Sequence, residues 1–123
     1  MITELRTYTI KRGMMQSWLG HWREAMDRNI ALGIRVEWAG FDPESMGTFI
    51  FLRSFRNEEE RRRLEEAFYE GEWWRGVSDE VMSHVVNWES QVFDTAAARG
   101  PDGELTDTMQ PDTVDRLFPP VKG

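Results

Sequence analysis

The 123-residue chain contains no cysteine. That absence removes disulfides, thiolate nucleophiles and thiolate metal sites. Histidine is almost absent as well. His21 and His84 are the whole supply, and neither a His-x-x-x-His nor a Glu-x-x-His spacing occurs, so no zinc or di-iron site is expected and no cofactor is assigned. Positive charge is in deficit. Fifteen Lys and Arg against 22 Asp and Glu leave a net charge of -7 and a pI near 4.8, which argues against nucleic acid or an anionic membrane as the main partner. No apolar stretch is long enough for a signal peptide or a membrane helix, so a soluble, cytoplasmic protein is expected. A phosphate loop, a dinucleotide fingerprint and a nucleophile elbow are all missing, which removes kinases, dehydrogenases of the usual fold and serine hydrolases. Four of the five prolines lie beyond residue 99.

What the chain has instead is large apolar side chains. Six Trp, seven Phe and seven Met are ample for the core of one domain, with some left to line a pocket or a subunit interface. Residues 2–10 alternate as a strand, with Glu4, Arg6 and Tyr8 on one face. Lys11-Arg12-Gly13 is a turn. Over 14–32, Met15, Trp18, Leu19, Trp22, Met26 and Ile30 recur at helical spacing, and Gly33 suits the end of that helix. Residues 34–41 form a second strand, with Ile34, Val36 and Trp38 assigned to one face. The turn-rich 42–47 segment joins it to a third strand, 48–55. Asn57 caps a second helix whose first turn holds Glu58, Glu59 and Glu60. Gly71 interrupts it, and Trp74, Val77, Val81 and Val85 predict a further helical stretch before a last strand at 86–94. Residues 97–123 are expected to be an extended tail, with Leu117, Phe118 and Val121 available for docking on a partner subunit.

The order strand, helix, strand, strand, helix, strand is the ferredoxin-like βαββαβ pattern of the α+β class: an antiparallel sheet with helices on one face. Phe49, Phe51 and Phe55 alternate with Ile50 and Leu52, so both sheet faces are apolar. A sheet with helices on only one side then calls for a second copy on the other, a homodimer.

Several segments, in this order, resemble the NIPSNAP family over residues 2–94. They are Glu4-Leu5-Arg6-Thr7-Tyr8-Thr9-Ile10 followed by Lys11-Arg12-Gly13, then Phe51-Leu52-Arg53-Ser54-Phe55, Arg61 to Arg63, and Ala67-Phe68-Tyr69 before Trp73-Trp74. The resemblance implies the dimeric α+β barrel fold, in which two ferredoxin-like sheets pack face to face. Relatives of that fold include cofactor-independent oxygenases, polyketide cyclases and haem-handling enzymes, whose pocket often lies between the sheet and the helices of one subunit. NIPSNAP domains have no generally established reaction, and fold alone does not assign one.

The residues that carry chemistry admit two readings. In one, Glu4, Arg6 and Tyr8 form a pocket wall. Arg6 binds a carboxylate or enolate oxygen, Glu4 orients it or acts as a base, and Tyr8 donates to an oxyanion. In the other they are a paired network that satisfies buried polar groups. Arg53, set among phenylalanines, needs an anion: Glu4, Glu37, Glu89 or a ligand. With the first and third strands side by side, Glu4 is its expected partner. His21 and His84 are candidate bases or haem ligands, or simply boundary residues. Trp38 and Trp88 are candidate substrate-binding rings, Trp18 and Trp22 core. The Arg61–Arg63 run reads as a solvated helix face. Three functions follow: an oxygenase- or cyclase-like enzyme acting on an apolar or aromatic small molecule, a non-catalytic dimeric binding protein, or a haem-binding protein.

Overall fold

The strand at Ile2–Ile10 (β1) is the spine of the fold. In the computed structural model, which describes residues 1–107, it is followed by α1 (Met15–Ala31), β2 (Arg35–Phe41), β3 (Thr48–Phe55), α2 (Glu58–Tyr69), α3 (Glu72–Met82), β4 (Val85–Asp94) and a short hairpin of β5 (Ala97–Arg99) and β6 (Leu105–Asp107). The four long strands form one antiparallel sheet in the order β2-β3-β1-β4. The predicted ferredoxin-like arrangement is therefore the observed one, with a third helix where Gly71 breaks the chain. Gly71 is extended and starts α3. Val85 opens β4 rather than closing the helix.

Local chemistry sets the boundaries. α1 ends where Gly33 takes a positive φ of 95°, and Ile34 then donates its N–H back to the Asn29 carbonyl at 3.1 Å, the return that a left-handed terminal residue permits. Asn57 caps α2 by accepting from the Glu60 N–H at 2.8 Å. The Glu60 carboxylate does not complete the reciprocal box on Asn57. It takes the Arg56 N–H and guanidinium instead.

The core lies between the sheet and the helices. Tyr8, Phe49 and Phe51 meet Met15, Trp18 and Met26 of α1, Phe68 of α2 and Val81 of α3. Trp18 and Trp22 both stand edge-on to Phe49, at 5.7 and 5.2 Å, a favoured aromatic geometry. Ile30 does not extend the stripe. It is 56% exposed, and Asn29 takes the buried position.

Two further expectations change. The register of β2 against β3 shifts between Val36, which pairs with Arg53, and Trp38, which pairs with Leu52. The extra residue, Glu37, turns Trp38 to the face opposite Val36, as a bulge does. Trp38 therefore lies on the helix-free face and is 55% exposed. Its ring covers Gly40, where a Cβ would sit 2.5 Å from the indole. Gly40→Ala should push this ring off the sheet at a cost below about 1 kcal/mol, because only an exposed ring tip moves. The expected readout is a red shift of tryptophan emission that vanishes in a Trp38→Phe background; an unchanged spectrum would mean the ring does not rest on residue 40. Residues 97–107, expected as part of an extended tail, instead form the β5–β6 hairpin around Gly103. Leu117, Phe118 and Val121 lie outside the described residues.

Candidate functional site

Period-two alternation along β1 aims Glu4, Arg6 and Tyr8 at the helices. The register places Arg53, Phe51 and Phe49 of β3 opposite them on one side, and Val92, Ser90 and Trp88 of β4 on the other. Glu4 and Arg53 are 1% and 0% exposed.

At this depth unpaired charge is costly, and the structure pairs it. One Glu4 oxygen accepts from Arg53 Nη2 at 2.7 Å and from Arg6 Nε at 3.2 Å. The other accepts from Ser90 at 2.9 Å and Arg61 at 3.2 Å. Arg53 also donates to Glu65 at 2.9 Å and to Asn29 Oδ1 at 2.7 Å, so α1 and α2 are both tied to the sheet. Arg61 joins Glu65 and Glu58. The run Arg61–Arg63 is thus not wholly a solvated face: Arg61 reaches in to Glu4, while Arg62 stays out on Glu58. Asn29 and Ser90 carry no signal in the sequence, and Arg61 reads there as part of a solvated face. Arg61 and Glu65 flank the buried Leu64/Phe68 stripe of α2, and that phase was the available signal.

The two carboxyls are driven apart. Burial pushes Glu4 up, but a hydrogen bond with Glu65 and the charges of Arg53 and Arg6 outweigh it and hold Glu4 at about 2. Burial, then the hydrogen bond to Glu4 and its charge, push Glu65 up to about 7 against the pull of Arg53 and Arg6. The pair titrates as a unit, sharing one proton near neutral pH.

Beyond this network the same sheet face opens into a pocket of about 330 Å³, within the usual range for small-molecule sites. Arg6 and Tyr8 form its sheet end, and Trp88 stands beside them. Tyr69 of α2 and Trp74 and Met82 of α3 supply apolar walls, and Ser78 and Asp79 of α3 add polar atoms. The Arg6 guanidinium lies over the Trp88 ring at 4.8 Å and the Tyr69 ring at 5.0 Å, which fixes its plane. Its Nη1 donates to the Tyr8 hydroxyl at 3.3 Å. Burial, with Tyr69 adding to it, lifts the Tyr8 phenol to about 12 despite Arg6. The phenol therefore keeps its proton at neutral pH and is a donor.

The other sequence candidates lie elsewhere. Trp38 is on the opposite sheet face. His21 and His84 pack against each other at 5.0 Å and do not line the pocket. Ser17 Oγ and His84 Nε2 are 2.8 Å apart, and His84 Nδ1 meets the Glu80 and Val81 carbonyls. That side chain joins α1 to the α3–β4 junction. Among the described residues no group of three or more His, Asp or Glu is placed to hold a metal ion, and no helix is long and apolar enough to cross a membrane.

A family model for NIPSNAP matches residues 3–98. The chain belongs to the NIPSNAP family. The match takes in all four strands of the sheet, short of Ile2, and all three helices of this NIPSNAP chain. No curated protein matches it. Among solved structures it is similar to a NIPSNAP domain protein from Burkholderia xenovorans, at 18% identity over 78% of this chain and 95% of the other, with a TM-score of 0.68. A NIPSNAP family protein from Agrobacterium tumefaciens shares 20% identity over 76% and 84%, TM-score 0.67. An antibiotic biosynthesis monooxygenase shares 14% over 77% and 98%, TM-score 0.63. The likeness to all three is one of fold.

Proposed function

We propose that this NIPSNAP protein binds a flat, largely apolar or aromatic small molecule in the pocket between the sheet and α2/α3. The Arg6–Tyr8 end holds an oxygen of that molecule as negative charge develops on it, in chemistry of the cofactor-independent oxygenase or cyclase type. One observation carries this reading. The Tyr8 hydroxyl accepts from Arg6, so its own proton is left to be donated, and it lines a pocket walled by aromatic rings. A neutral phenol fixed by a guanidinium is a preorganised oxyanion donor.

The likeness to the monooxygenase fold supports the chemistry by analogy only. The helix-free sheet face supports a homodimer: Trp38 and Phe93 stand there 55% and 44% exposed beside Leu5, Ile50 and Leu52, an apolar surface that a second copy would bury. Light scattering at micromolar concentration should give twice the chain mass.

The binding test is a fluorescence titration with 2-naphthol, exploiting Trp88 and Trp74 in the pocket. Saturable quenching is expected, weakened in Trp88→Ala and preserved in Trp38→Phe. An absence of saturable quenching up to millimolar concentration would sink the reading. The ion pairs of Glu4 with three arginines, and of Arg53 with Glu4 and Glu65, favour a second reading, binding without turnover. Under it the pocket returns every bound compound unchanged.

A further inference from the structure

The proposed chemistry needs a proton acceptor, and none of the bases considered from the sequence can serve. Glu4 is 1% exposed, and its two oxygens are taken up by three arginines and Ser90. It does not line the pocket. Glu65 is held by Arg53 and Arg61 and is likewise outside the lining. His21 and His84 pack against each other away from it. One carboxylate remains among the lining residues: Asp79, on α3. α3 brings it there by helical phase. Trp74, Ser78 and Met82, at four-residue spacing, line the same pocket, and Asp79, three residues before Met82, lines it from the edge of that stripe. Asp79 takes part in no ion pair or side-chain hydrogen bond among the described residues, whereas Glu4, Glu58, Glu60 and Glu65 are all engaged by arginine.

We infer that Asp79 is the catalytic base of this pocket and that its substrates are enolisable aromatic carbonyl compounds, held with the carbonyl oxygen on Tyr8 and Arg6. The inference rests on the reading above. The step balances without an oxidant. An Asp79 oxygen takes the proton from the carbon next to the carbonyl, and the C–H electron pair becomes the new carbon–carbon double bond. The carbonyl π pair moves onto oxygen, where the Tyr8 O–H and the Arg6 guanidinium meet it. Reversal with a solvent proton regenerates the ketone. Asp79 is solvent-exposed, so the proton it gains can leave to water. Exposure also explains its absence from the sequence reading: a lone aspartate on an amphipathic helix looks like ordinary solvated surface.

The test follows proton–deuterium exchange at the α-carbon of 2-tetralone in D2O by NMR, with binding measured separately by fluorescence. The full chain should accelerate exchange over buffer. Asp79→Asn should lower that acceleration by about 10²–10⁴-fold, the usual contribution of a positioned base, with the binding constant little changed. Asp79→Glu should restore part of it. If Asp79→Asn exchanges as fast as the parent, the assignment of the base is wrong while the pocket reading stands. If 2-tetralone binds and does not exchange, both the base and the catalytic half of the proposed function are overturned and binding survives. If it does not bind and 2-naphthol does, the substrate class is wrong; if neither binds, the reading beneath it falls as well.

Discussion

Arg53→Met should destabilise the fold by about 3–5 kcal/mol, the usual cost of removing one partner from a buried ion pair. The side chain is wholly buried and touches Glu4, Glu65 and Asn29 at 2.7, 2.9 and 2.7 Å. Its loss leaves Glu4 in a low-dielectric setting with weaker compensation and frees the Asn29 Oδ1 that ties α1 to the sheet. Much of the loss should return in Glu4→Leu/Arg53→Met, where the orphaned charge is gone as well. Urea unfolding of the single and double variants decides it. A single-variant loss below about 1 kcal/mol would show that the network contributes little. A double variant no better than the single would show that orphaned charge is not the cause.

The second large effect is a fall in stability as pH rises through neutrality. The Glu65 carboxyl is at about 7 in the folded protein, above its ordinary value of 4.5, so the folded state holds a proton that the unfolded chain has released. Stability from this group is complete below pH 4.5 and declines as pH rises through 7. Glu4 acts with the opposite sign. Held at about 2, it contributes stability that is present above pH 4.5 and lost as pH falls towards 2. The pair together places the optimum near pH 4.5. Denaturation midpoints between pH 4 and 9 should decline across this window in the parent and be flat in Glu65→Gln. A decline unchanged by that substitution would assign it to another group.

The order of elements was legible because the signals were local. Alternation in β1, the Trp18/Trp22/Met26 stripe of α1 and the Asn57 cap each need only a few neighbouring residues. The Glu4–Arg53 contact was legible one level up, since the topology fixes which strands adjoin and both residues face the core. What escaped depended on longer geometry. Trp38 was assigned to the wrong face because a single bulged residue, Glu37, inverts everything after it, and nothing in Arg35-Val36-Glu37-Trp38 marks the bulge locally. Arg61 was hidden in a run of three arginines, where composition is uniform and only the phase relative to Leu64 and Phe68 separates the inward member from the outward two. Ser90 became part of the network only through the exact pairing of β1 with β4. Tyr69, Trp74 and Asp79 reached the pocket through the packing of two helices on the sheet, and side-chain spacing within either helix carries no record of that packing.

The paired charges have a consequence for how the chain finds its structure. β1 is hydrogen-bonded on both edges, and its Glu4, Arg6 and Tyr8 side chains point one way. Sliding it by one residue against its neighbours would swing Glu4, Arg6 and Tyr8 to the bare face and strand Arg53 in hydrocarbon opposite Thr3 or Leu5. Apolar side chains in those positions would tolerate such a misalignment far better, since one greasy contact replaces another. The cluster therefore proofreads the assembly of the sheet: only one alignment of three strands and two helices satisfies every charge, and the pocket is built on that alignment.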